Sequence, residues 1–170
     1  GAENFERIAS PNDTLQWASV VWIPFPDGGK FVAGSTTGPM YTSVDGITWV
    51  SVGTPRSTTW NGFAWSPTLG IMVGVGHQGQ TCWSIDGISF VGAVSAAQVN
   101  CQAVAWSDEE EIFVAVGYPQ NLPDGSALTS LNGIDWTGIG YIGGSISEQF
   151  FAIVWDSDHH FFVVPSGNSI

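Results

Sequence analysis

Basic residues are the scarcest class in this chain: three Lys and Arg stand against fifteen Asp and Glu, a net charge of −12 over 170 residues. A field of that sign repels phosphate backbones and anionic bilayers, so nucleic acid is not an expected partner. Charge of either sign is itself sparse, at 11 % of residues against 44 % hydrophobic, which excludes an acidic disordered chain. No apolar run reaches bilayer-spanning length, so no membrane insertion is expected. The opening Gly1-Ala2-Glu3-Asn4 carries no signal-peptide pattern, as a processed end also would not. Two cysteines are too few for a disulfide framework. Cys82 and Cys101 fall in expected strands of neighbouring repeat units and read as buried thiols, with a disulfide as the alternative. The length suits a single domain over 1–170 with a substantial core.

Glycine and tryptophan are abundant, at 22 and nine residues, and both recur in register. Thr42-Ser43-Val44-Asp45-Gly46-Ile47-Thr48-Trp49 returns as Trp83-Ser84-Ile85-Asp86-Gly87-Ile88-Ser89-Phe90 and as Thr129-Ser130-Leu131-Asn132-Gly133-Ile134-Asp135-Trp136. Asp-Gly or Asn-Gly between apolar runs is a strong signal for a tight hairpin. The expected turn is type I′, with positive φ at both central residues, and the preceding Ser is placed to bond the turn backbone. Asp45, Gly46, Asp86, Gly87, Asn132 and Gly133 are therefore read as turn-formers. Asn in the third copy fits that role and could not act as a base.

Two further strands recur with the turn. Trp17-Ala18-Ser19-Val20-Val21-Trp22 is matched at 60–65, 101–106 and 150–155, and Lys30-Phe31-Val32-Ala33-Gly34 at 71–76, 112–117 and 160–164. One unit is thus four short antiparallel strands in about 41 to 49 residues, the period of a propeller blade. The units are 17–59, 60–100, 101–149, and 150–170 completed by 1–16, because Asn4-Phe5-Glu6-Arg7-Ile8 reads as a fourth strand and 168–170 as the start of a third. The expected fold is all-β: a small β-propeller of four blades, one split between the termini so that the ring closes within a monomer. The rival is an arc that closes only with a second copy or within a longer parent. The acidic stretch 108–111 is too short for a helix and reads as a charged hairpin link.

The Ser-x-Asp-Gly-x-x-Trp pattern at Ser43 to Trp49 resembles the Asp-box hairpins of sialidase-like propellers, one residue shorter between Asp and aromatic. It is closer to the Asp-Gly-x-x-Trp repeats of phage and viral tail or fibre proteins and bacterial surface proteins. The resemblance implies a propeller whose Asp-Gly turns lie on the face away from the ligand. It also implies an extracellular or virion-surface location. It specifies no activity. A sialidase would need an arginine cluster for the substrate carboxylate, and only Arg7 and Arg56 are present. No Ser-His-Asp or Cys-His arrangement can be placed by spacing. A glycosidase carboxylate pair assembled across blades stays open, although most of the acids sit in turns.

Other motifs resolve into structure. Gly74-Val75-Gly76-His77-Gln78-Gly79 matches Gly-x-Gly-x-x-Gly, but a strand and hairpin follow where a dinucleotide site needs a helix. Asp156-Ser157-Asp158-His159-His160 reads as a polar hairpin tip. Adjacent strand histidines face opposite ways, so no metal or other cofactor is expected, and calcium is the unsupported alternative. The recurring tryptophans are expected in the core. Departures from the repeat say more. The third unit carries an insertion over 117–125, on the face where propellers bear connectors between blades. Tyr118 can stack on a sugar, and Gln120, Asn121 and Asp124 can hydrogen-bond it. His77 comes from the matching link of the preceding unit. The expectation is a non-enzymatic recognition module for a glycan or a host-surface protein. The alternatives are an assembly propeller bound to other virion proteins, and a glycan-degrading enzyme.

Overall fold

A computed structural model describes residues 10, 12–53, 55–121, 125–142 and 149–165. The expected strands at 4–8 and 168–170 lie outside the described residues, as does Asp124. Among the described residues there are fourteen strands and no α-helix. They form four antiparallel units in chain order. The first holds β1 (Trp17–Ile23), β2 (Lys30–Ser35), β3 (Met40–Ser43) and β4 (Val50–Gly53). The second holds β5 (Trp60–Ser66), β6 (Ile71–Gly76), β7 (Gln80–Ser84) and β8 (Val91–Val94). The third holds β9 (Val99–Ser107), β10 (Ile112–Pro119), β11 (Ala127–Ser130) and β12 (Thr137–Gly138). The fourth shows the pair β13 (Val154–Asp156) and β14 (Phe161–Val163). Each complete sheet is a meander with strands in sequence order, as the repeat predicts, although β9 begins at Val99, two residues before the expected unit boundary.

The blades stack because their strands are apolar on both faces. Every residue of β6, Ile71-Met72-Val73-Gly74-Val75-Gly76, is buried. Alternate residues go to opposite joints. Met72 joins Ile23, Val32, Met40 and Trp60 between the first and second blades. Val73 and Val75 join Cys101, Phe113 and Trp136 between the second and third. Val114, Val116 and Phe150 form the third joint, with Ile153 and Phe162 of the fourth blade against it. Met72 and Phe113 are fully buried, and burial of each stabilises by about 1.5–3 kcal/mol relative to exposure. Glycine is needed at Gly34, where a Cβ would lie 2.6 Å from the Trp60 Cβ.

The innermost strands β1, β5 and β9 are tied across the blades. Ser19 Oγ donates to the Trp60 carbonyl at 2.8 Å, and Asn61 Nδ2 donates to the Cys101 carbonyl at 2.8 Å. With residues 151–153 they line one side of an axial hollow of about 300 Å³. Closure is a different matter. Among the described residues no buried cluster joins the fourth blade to the first, and Val20 and Trp22 of β1 are 63 % and 48 % exposed.

The turns depart from the expected type. Gly46, Gly87 and Gly133 have φ of +74°, +69° and +73°, but Asp45, Asp86 and Asn132 are not among the positive-φ residues, so these are not I′ turns. A six-residue link separates β3 from β4, and side chains organise it. Ser43 Oγ accepts the Gly46 N–H at 2.9 Å, and Asp45 Oδ1 accepts the N–H groups of Ile47 and Thr48 at 2.8 and 2.7 Å. Trp49 Nε1 donates to the Gly46 carbonyl at 3.1 Å. Ser84 with Asp86, and Ser130 with Asn132, repeat the arrangement. A capped loop replaces the two-residue turn because the Ser and Asp oxygens satisfy its N–H groups.

Candidate functional site

The links from second to third strand share a face with the connectors between blades. Thr59 Oγ1 of the first connector donates to the Thr36 carbonyl at 2.9 Å. The Gly79 N–H donates to the Val99 carbonyl at 2.8 Å, and the Gln120 N–H to the Gln98 carbonyl at 2.9 Å. The Asp-Gly turns lie at the opposite ends of these strands, beside the first-to-second-strand links: a Cβ on Gly87 would meet Phe25.

Between the first two blades on the connector face lies a hollow of about 220 Å³, lined by Thr36, Thr37, Ser57, Thr58, Thr59, His77, Gln78 and Gln80. No lining side chain carries a fixed charge. Five hydroxyls and two amides offer both donors and acceptors. Gln80 Oε1 is buried there without a hydrogen-bond partner, which leaves one acceptor for an incoming donor.

His77 is held from three sides. Its backbone N–H donates to Thr58 Oγ1 at 3.1 Å, the Gln102 amide nitrogen lies 3.2 Å from its Nε2, and the Tyr118 ring stands edge-on at 6.3 Å. Partial burial lowers the His77 pKa from its ordinary value, which favours the neutral form of the ring.

Of the residues expected from the insertion, the structure brings Tyr118 to His77, through β9: Tyr118 pairs with Asn100, whose Oδ1 accepts the Gln78 N–H at 3.0 Å. Gln120 and Asn121 are exposed at the end of β10 and do not line the hollow. The residues the sequence reading passed over are the hydroxyls of 36–37 and 57–59. Their signal was present: two Ser/Thr runs, one in the link matching that of His77 and one in the connector beside it.

Two further hollows among the described residues are less suited to a ligand. One of about 460 Å³ is lined by Ile112, Thr129, Ser130, Leu131, Asn132, Asp135 and Thr137 beside the third turn, but Ser130 Oγ and Asn132 Oδ1 are already engaged in holding that turn. In the axial hollow Ser19, Asn61 and Gln102 are likewise engaged.

At the hairpin tip, His159 Nδ1 pairs with Asp156 Oδ2 and His160 Nδ1 with Glu109 Oε2, each at 2.9 Å. The two histidines serve different carboxylates. Among the described residues no group of three or more His, Cys, Asp and Glu could hold a metal ion. Lys30, one of the three basic residues, is buried against Asp27 at 2.7 Å. Gly74 and Gly76 sit inside β6 and Gly79 in a turn before β7. Both cysteines are free and buried.

No protein-family model matches the chain, and no curated sequence is similar to it. Solved structures do match. The β-propeller domain of Cps50 (Swd1) from Myceliophteria thermophila superposes with a TM-score of 0.64 over 94 % of this chain at 9 % identity. The fold is a β-propeller. The match covers 51 % of that domain's chain, so this chain spans about half the length of the propeller it resembles. At that identity the likeness carries the fold alone.

Proposed function

We propose that this propeller is a non-enzymatic recognition module on an extracellular or virion surface. It takes a neutral polyhydroxyl ligand, a glycan on a host-surface partner, in the hollow between its first two blades. The observation that carries the reading is the lining: five hydroxyls, two amides and an imidazole, with no Asp, Glu, Lys or Arg and with the Tyr118 ring beside His77. Sugar hydroxyls both donate and accept, and such a lining answers them in kind. The net charge of −12 disfavours anionic ligands.

A glycan array probed with the purified chain, with calcium and again with chelator, tests this. Binding to one glycan class that is lost in His77→Ala and weakened in Tyr118→Ala supports the reading. Silence in both buffers would transfer the assignment to an assembly platform among other virion proteins, and turnover of a bound glycan would transfer it to a hydrolase.

A further inference from the structure

Four valines occupy one repeat position in the second strand of each blade: Val32, Val73, Val114 and Val163. The first three are 0 %, 0 % and 8 % exposed, each covered by the following blade, whereas Val163 is 41 % exposed. Val154 is its cross-strand partner, and Phe161 lies on the same face by register; they are 58 % and 51 % exposed. The opposite end mirrors this. Phe63 and Trp65 pack against the first blade, and Val104 and Trp106 against the second. Their equivalents Val20 and Trp22 are 63 % and 48 % exposed, with Trp22 lying on Phe31 at 4.6 Å. The uncovered faces of the first and fourth blades are therefore the two halves of one joint, already made three times inside the chain.

We propose that a second copy of this chain completes that joint head to tail, the fourth blade of each copy packing on the first blade of the other. The extent of the match supports a pair. In the match, 94 % of this chain aligns with 51 % of a propeller chain, so its four units correspond to about half of that propeller and two copies give eight, within the usual range of four to eight blades. A heterologous contact whose rotation closes makes a ring with no free face, and here it buries two identical joints at once. Each copy carries −12, so screening by salt strengthens the pair rather than weakening it.

The test is light scattering coupled to chromatography, with sedimentation over about 1–200 μM, for the intact chain, Trp22→Glu and Val163→Glu. The expected wild-type species is a dimer of the 18.0 kDa chain, and each variant raises its dissociation constant at least 100-fold while keeping the wild-type circular dichroism and melting. Mixing the two variants restores one intact joint per pair, and so restores dimer that neither forms alone. That rescue is specific to head-to-tail contact. A wild-type monomer across the range overturns the proposal, as does a dimer indifferent to both variants or an open series of larger species. Because both positions are about half exposed, a variant that fails to fold would show that its face is buried within one chain, which also overturns it.

Discussion

Gly87→Ala compared with Gly53→Ala separates two demands that the blade makes on glycine. Both positions have positive φ, +69° and +85°, so alanine at either incurs the left-handed penalty of roughly 1–2 kcal/mol. Both also gain from a less flexible unfolded chain, and that term cancels in the comparison. They differ in surroundings. A Cβ on Gly53 meets nothing within 4 Å, whereas on Gly87 it would lie 2.6 Å from Phe25 Cε2 and 3.0 Å from Cζ. Phe25 has little room to move. It is 3 % exposed, edge-on to Trp65 at 5.2 Å, with Lys30 Nζ 5.3 Å from its ring centre. Overpacking of that kind costs about 1–3 kcal/mol. The expected totals are roughly 1–2 kcal/mol for Gly53→Ala and about 2–5 kcal/mol for Gly87→Ala. Urea unfolding at low micromolar protein, followed by tryptophan fluorescence, reads the difference as a shift in midpoint at unchanged slope. Equal costs would mean that the second turn does not press on the first blade, and the packing argument for its glycine would fail.

Acid and thiol chemistry offer two further checks. The Asp45 carboxylate accepts the N–H groups of Thr48 and Ile47 and a bond from Ser43, which lower its pKa from 3.8 to about 2. A depressed carboxylate contributes fully above the unfolded value and loses that contribution as pH falls through the folded one. Melting temperature should therefore drop between about pH 4 and 2, and Asp45→Asn should lower stability at pH 7 and flatten part of that drop; an unchanged acid slope would contradict the role of the charge. Desolvation pushes the Cys101 thiol up to about 12 and the Cys82 thiol higher still, so neither should react with a thiol reagent at pH 8 until the chain is unfolded, and fast labelling of native protein would contradict their burial.

The repeat was legible because its residues do the same mechanical job in every blade. Ser43, Ser84 and Ser130 each hold the N–H of the following glycine, and the sequence marks all three. Turn type was less legible. Asp-Gly favours a I′ turn when only the backbone is considered, but here the Ser and Asp side chains cap the loop, so Asp45 never needs positive φ. The hollow escaped for another reason. His77 and Tyr118 stand out as departures from the repeat, whereas Thr36, Thr58 and Thr59 are ordinary loop hydroxyls until two links bring them to one wall.

Trp22 marks the remaining limit. By repeat position it is equivalent to Trp65 and Trp106, and periodicity assigns all three to the core. What buries a blade-face tryptophan is the preceding blade, and sequence equivalence does not say whether one is there. Trp65 and Trp106 have theirs, while Trp22 is half exposed. A repeat therefore specifies the joint but not the number of joints in a ring. That number depends on curvature, which small changes in blade packing accumulate over the whole arc. The four equivalent valines record the outcome: three are sealed, and the fourth retains the shape and polarity of a joint that another blade would complete.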